Sequence, residues 1–62
     1  MIITTVEHFE NGKHYFTSEE DFVDFTNKIF VENEDWMEME YPKTYLDCVN
    51  YINNYCDNFK VL

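Results

Sequence analysis

Apolar residues recur along this chain with two different periods, and the switches between them mark out five elements. Met1 to Phe9 is rich in β-branched and apolar side chains (Ile2, Ile3, Thr4, Thr5, Val6), which predicts a strand. Asn11-Gly12 follows, a pair that favours a two-residue hairpin turn because type I′ geometry needs positive φ at both central positions. Pairing outward from that turn sets Glu10 opposite Lys13, Phe9 opposite His14, His8 opposite Tyr15 and Glu7 opposite Phe16. Lys13 to Thr17 is then the second strand, and both faces of the hairpin carry one aromatic and one polar partner.

The period then changes to that of a helix. Phe22, Phe25, Ile29 and Phe30 fall on one stripe, so the spacing predicts a helix from about Ser18 to Phe30. Thr17 or Ser18 supplies the cap, with Glu20 or Asp21 three residues on. From Trp36 to Tyr41 the pattern alternates strictly: Trp36, Glu38 and Glu40 to one side, Met37, Met39 and Tyr41 to the other. Such alternation predicts a half-buried strand. Pro42 stops it, because proline lacks the N–H that a ladder needs. Thr44 with Asp47 opens a second helix, whose apolar face is Tyr45, Val49, Ile52, Cys56 and Phe59. Asp47, Asn50, Tyr51, Asn53, Asn54, Asp57 and Asn58 fall opposite, and Lys60-Val61-Leu62 is a short tail placed to dock on the sheet. The expected architecture is α+β: one domain over residues 1–62, ordered ββαβα, with both helices on one face of a three-stranded antiparallel sheet.

Size sharpens this picture. At 62 residues only about 60% of the unfolded chain's surface is buried on folding, so stability is marginal. Six Phe, five Tyr and one Trp compensate, since each aromatic buries roughly 150–250 Å². Phe9 or Phe16, Phe22, Phe25, Ile29, Val49, Ile52 and Phe59 make up the expected core. Cys48 and Cys56, eight residues apart on one helix, have Cα atoms roughly 12 Å apart, beyond the ~7 Å limit of a disulfide. They are expected to be free thiols in a reducing compartment. With no signal peptide, membrane span or lipidation motif apparent, the expected location is the cytoplasm.

Charge changes the picture most. Thirteen acids face four lysines, no arginine is present, and the net charge is −9. Nucleic acids and anionic membranes require a basic footprint, so both are excluded as direct partners. A basic protein or a cation fits instead. Acidity that serves only solubility is the plainer reading, but the acids cluster. Glu32, Glu34, Asp35, Glu38 and Glu40 share one segment with Trp36, while Glu19, Glu20, Asp21 and Asp24 crowd the start of the first helix. The second group is mostly ordinary helix chemistry, because the dipole favours anions there.

Catalytic chemistry finds no support. The single Gly lies in the hairpin turn, so no phosphate loop exists. The cysteines sit on an apolar helix face, where cysteine behaves as a small hydrophobe, and Ser18 reads as a cap. His8 and His14 fall on opposite faces of the hairpin, so no zinc set converges. The acidic segment lacks the turn glycine of a calcium loop. Neither a catalytic residue, a metal ligand nor a cofactor is assigned.

On a strand, alternate carboxylates stand ~6.6–6.8 Å apart, a row able to imitate one phosphate strand of DNA. Trp36 beside them, with Tyr41 or Tyr51 near, is the kind of aromatic anchor on which interfaces concentrate their energy. A solvated edge whose charges block aggregation is the bland alternative. In size, charge and this acidic-aromatic segment the chain resembles the very small acidic inhibitors encoded by phages: anti-CRISPR proteins, uracil-DNA glycosylase inhibitors and anti-restriction DNA mimics. The scarcity of residues with GC-rich codons fits a phage or bacterial source of low GC content. The resemblance implies a non-enzymatic inhibitor, acting in the host cytoplasm, that fills the basic groove of a DNA- or RNA-processing protein. Glu32, Glu34, Asp35, Trp36, Glu38 and Glu40 are the expected contacts, with Glu20 and Asp24 as a second row. The alternative is a general protein–protein interaction module, as a homodimer or otherwise, binding through Tyr15, Trp36, Tyr51 and Tyr55 with acidity for solubility alone.

Overall fold

The computed structural model describes residues 1–62. Its elements are β1 (Thr4–His8), β2 (Gly12–Phe16), α1 (Glu19–Glu32), a single 3₁₀ turn (Asp35–Met37), α2 (Tyr45–Tyr55) and β3 (Phe59–Val61). The strands form an antiparallel sheet in the order β2-β1-β3, so the fold is α+β as the patterning predicts.

The third strand is not the acidic segment. The short C-terminal stretch Phe59–Val61 pairs with Val6–His8 instead, and the Leu62 N–H donates to the Thr5 carbonyl at 2.9 Å. The order is therefore ββααβ, with the 3₁₀ turn between the helices. Two physical reasons decide the competition for the free edge of β1. Phe59 and Val61 bring apolar side chains to the core, whereas Glu38 and Glu40 have low strand preference. The chain leaving α1 is also turned away before Trp36, because Glu34 adopts a left-handed conformation (φ 59°).

The hairpin register differs too. His8 pairs with Gly12, Glu7 with Lys13, Val6 with His14, Thr5 with Tyr15 and Thr4 with Phe16, leaving the three-residue loop Phe9-Glu10-Asn11. The His8 imidazole decides this register. Its Nδ1 accepts the backbone N–H of Glu10 at 3.2 Å and of Asn11 at 3.0 Å, while Gly12 takes the positive φ of 86° that closes the loop. An odd shift in pairing turns side chains to the other face. Phe9 is consequently 67% exposed, and Phe16 takes the core place. Both histidines share the helix-covered face: His8 lies edge-on to Phe59 at 4.7 Å, and His14 lies against Phe25 at 5.3 Å.

Both helices begin where their caps dictate. Ser18 Oγ accepts the Asp21 N–H at 3.1 Å, and Thr44 and Asp47 form a reciprocal capping box. The core is Val6, Phe22, Ile29, Phe30, Cys48, Tyr51, Ile52 and Cys56, with Phe16, Phe25, Val49 and Phe59 packed against it. Buried Thr26 satisfies its hydroxyl on the Phe22 carbonyl, and Thr4 donates to the Tyr45 hydroxyl at 2.9 Å, tying β1 to α2. Cys48 and Cys56 are free thiols. No helix is long and apolar enough to cross a membrane.

Candidate functional site

The acidic segment folds as a compact connection between α1 and α2 instead of an extended ladder. Its backbone hydrogen bonds are local: Asn33 N–H to Ile29, Glu34 N–H to Val31, Met37 N–H to Glu34, and both Glu38 and Met39 N–H to the Asp35 carbonyl. With these donors satisfied locally, the segment has no strand partner. The regular row of carboxylates that a strand would give is absent. Met37, placed in the core by the alternation, is exposed; Met39 alone of the two methionines packs against the core.

The segment is nonetheless held at both ends. Tyr51, expected on the polar side of α2, is buried, and its hydroxyl donates to Asp35 Oδ2 while accepting from Asn33 Nδ2 at 3.3 Å. Its ring packs edge-on to Phe30 at 5.2 Å. At the other end the Pro42 carbonyl accepts from Asn27 Nδ2 at 3.2 Å and from the Cys48 thiol at 3.7 Å. Tyr41 follows the acids and lies against Phe30 at 4.7 Å. Asp35 is thus half-buried and committed to Tyr51.

Glu34, Glu38 and Glu40 in the connection and Glu32 at the end of α1 are exposed, and Trp36 in the same connection is 49% exposed. The indole stays on the surface with the carboxylates. Glu20 and Asp24 are also exposed but lie toward the opposite end of α1. Glu20 and Glu32 are about 18 Å apart along the helix axis at ~1.5 Å per residue. Lys28 stands four residues from both Asp24 and Glu32, so a positive charge interrupts the acids on that face. The two groups do not merge into a second parallel row.

No family model matches the chain, and no curated protein or solved structure does either. The site is therefore read from its own chemistry. No three His, Cys, Asp or Glu side chains converge to hold a metal ion. The feature that the alternating pattern hid is aromatic. Tyr51 and Tyr55 stack at 5.9 Å with their planes 19° apart, and with Tyr41 they line a cleft of about 340 Å³ beside Glu40. The i, i+4 tyrosine pair on α2 was the available signal. On a helical wheel Tyr51 reads as polar-side, because its hydroxyl partners come from another part of the chain.

Burial pushes three protonated groups up. It is the main cause for the Cys48 thiol, with the charge of Asp47 adding to it, and for the Cys56 thiol, with Asp35 and Asp57 adding. Tyr51 is raised well above 10.0, first by burial and then because its hydroxyl donates to Asp35. A raised value means that the folded chain holds these protons more tightly than the unfolded chain does. The stability this contributes is complete below the ordinary values of 9.0 and 10.0 and is lost as pH rises above them. The melting temperature is expected to hold level from neutral pH to about pH 8.5 and to fall above about pH 9. Thermal melts followed by circular dichroism check this; a level value to about pH 10.5 contradicts it.

Proposed function

We propose that the chain is a non-enzymatic inhibitor of the phage-encoded kind. It binds a host protein by seating its acidic connection, Glu32 to Glu40, in the basic groove of a DNA- or RNA-processing protein. One observation supports this reading above the others: a half-exposed indole shares a segment fixed at both ends with the exposed Glu34, Glu38 and Glu40, in a chain of net charge −9. Pre-organisation lowers the ordering cost of binding, an exposed aromatic supplies the anchor, and the charge speeds association with a basic surface. With no ladder, the imitation of nucleic acid lies in charge density and not in phosphate spacing.

The open face of the sheet supports a second reading, an interaction module that pairs with another copy of itself. Thr4, Val6 and Phe16 turn toward the helices, so Tyr15 turns away, with exposed Ile3 and Leu62 just beyond the strand ends. Glu7 on this face is flanked by Lys13 and Lys60, which makes it less acidic than the rest of the molecule.

Immobilised protein exposed to host extract, then washed with duplex DNA, tests the first reading. Proteins whose groove is occupied should be released by the duplex, and they should not be retained by a Glu38→Lys/Glu40→Lys variant. Retention that ignores both the duplex and the substitutions contradicts the reading and favours the sheet face.

A further inference from the structure

We infer that the cleft walled by Tyr41, Tyr51 and Tyr55 receives one arginine side chain of the partner, a deepening that rests on the partner being basic. Three features of the cleft point to that occupant. Its walls are aromatic. Tyr41 and Tyr51 both pack on Phe30, at 4.7 and 5.2 Å, and Tyr55 lies nearly parallel over Tyr51, so ring positions are fixed by buried neighbours. Tyr41 and Tyr55 remain 46% and 59% exposed, and their rings are open to a visitor. Aromatic rings attract a cation held over them, most often an arginine guanidinium.

Its charge is negative. Glu40 is exposed at the edge, and Asp47 contributes a carboxylate of which one oxygen accepts the Thr44 N–H at 3.4 Å. Asn50 adds a neutral hydrogen-bonding group. Arginine fits this set better than lysine does. Its planar group stacks on a ring and engages a carboxylate through two parallel N–H bonds, and it is less strongly hydrated than an ammonium. The size also fits, since about 340 Å³ lies at the small end of ligand sites and suits a single side chain.

The cleft is continuous with the acidic segment. Met39, Glu40 and Tyr41 belong to both, so an arginine seated here lies at the end of that segment. The other three concavities lack this combination. The one beside Asn33 and Asp57 draws on Asp35, already held by Tyr51, the one along α1 contains Lys28, and the one beside Phe9 and Val61 contains Lys60.

The test is a titration of ¹⁵N-labelled protein with N-acetyl-arginine methylamide, alongside the citrulline and lysine counterparts. In parallel, an arginine-rich peptide is titrated into the wild type and into Tyr55→Ala, Glu40→Gln and Glu34→Lys/Glu38→Lys variants. The arginine probe should shift the amides of Tyr41, Asn50 and Tyr55 saturably, with the citrulline probe inert and the lysine probe weaker. Tyr55→Ala and Glu40→Gln, both changes at exposed positions, should each weaken the arginine probe about three- to tenfold. Equal response to citrulline or lysine, or shifts confined to Glu19–Asp24, overturns the inference. If the peptide binds and Tyr55→Ala leaves its affinity unchanged, the cleft is wrong and the acidic segment stands. If the arginine probe seats in the cleft while the peptide ignores Glu34→Lys/Glu38→Lys, which alters acids outside the cleft lining, the cleft stands and the acidic segment does not.

Discussion

Phe30→Ala is expected to leave most of the chain unfolded at room temperature, or to lower its melting temperature by at least about 12 °C. Phe30 is fully buried at the centre of the molecule, with Tyr41 and Tyr51 packed on its ring. Truncating a buried phenylalanine costs about 3–5 kcal/mol, from lost transfer energy and the cavity left behind. Net stability runs at roughly 0.05–0.15 kcal/mol per residue, or about 3–9 kcal/mol for 62 residues. The loss is thus comparable with the total, and each kcal/mol moves the melting point of so small a domain by about 4–8 °C. Circular dichroism and amide dispersion in NMR read the outcome. A cooperative melt within a few degrees of the wild type would show that the core does not depend on this ring. The same substitution should abolish binding, because Tyr41 and Tyr51 lose the surface that orients them.

The second large effect is electrostatic. Reversing Glu38 and Glu40 to lysine takes the net charge from −9 to −5, since each change adds two units. A −9 chain attracts any polycation, so the informative comparison is with Glu10→Lys/Glu19→Lys. That variant has the same net charge but alters exposed acids outside the acidic connection. If the connection is the contact surface, the first variant should lose at least about tenfold in affinity for a basic partner, about 1.4 kcal/mol, and the second far less. Exposed charges act weakly when separated from the partner by more than about 8–10 Å at physiological salt, which is why position matters beyond the total.

Local signals in this sequence were legible; non-local competition was not. Ser18 and Thr44 cap their helices because each needs only a neighbour three residues away, and the Phe22-Ile29-Phe30 stripe follows from helical geometry alone. Register was another matter. Asn11-Gly12 invites a two-residue turn, but His8 captures two loop N–H groups and shifts the pairing, a side-chain effect that turn preference does not contain. The alternation from Trp36 to Tyr41 carried the same ambiguity. Six residues can alternate without a strand to pair with, and the edge of β1 went to Phe59–Val61, whose brevity made it look like a tail.

For the candidate site, the acids and Trp36 could be named from composition and clustering. Their arrangement could not. Tyr51 reads as polar-side on a helical wheel and is in fact the buried post on which the connection hangs, because Asp35 and Asn33 arrive from the far end of α1 to satisfy its hydroxyl. The wall that Tyr55 adds follows from that burial. Hydrophobic patterning belongs to one element at a time, whereas this cleft is made by α2 and the connection together.

The single tryptophan makes the decisive measurement simple. An arginine-rich peptide is titrated into the wild type, Glu38→Lys/Glu40→Lys and Glu10→Lys/Glu19→Lys, with Trp36 emission followed at about 50 and about 300 mM salt. Trp36 should report saturable binding that weakens at the higher salt. Affinity should fall at least about tenfold in the first variant and stay within about threefold of the wild type in the second. Equal losses in both variants, or binding to which Trp36 does not respond, would contradict a partner surface at the acidic connection.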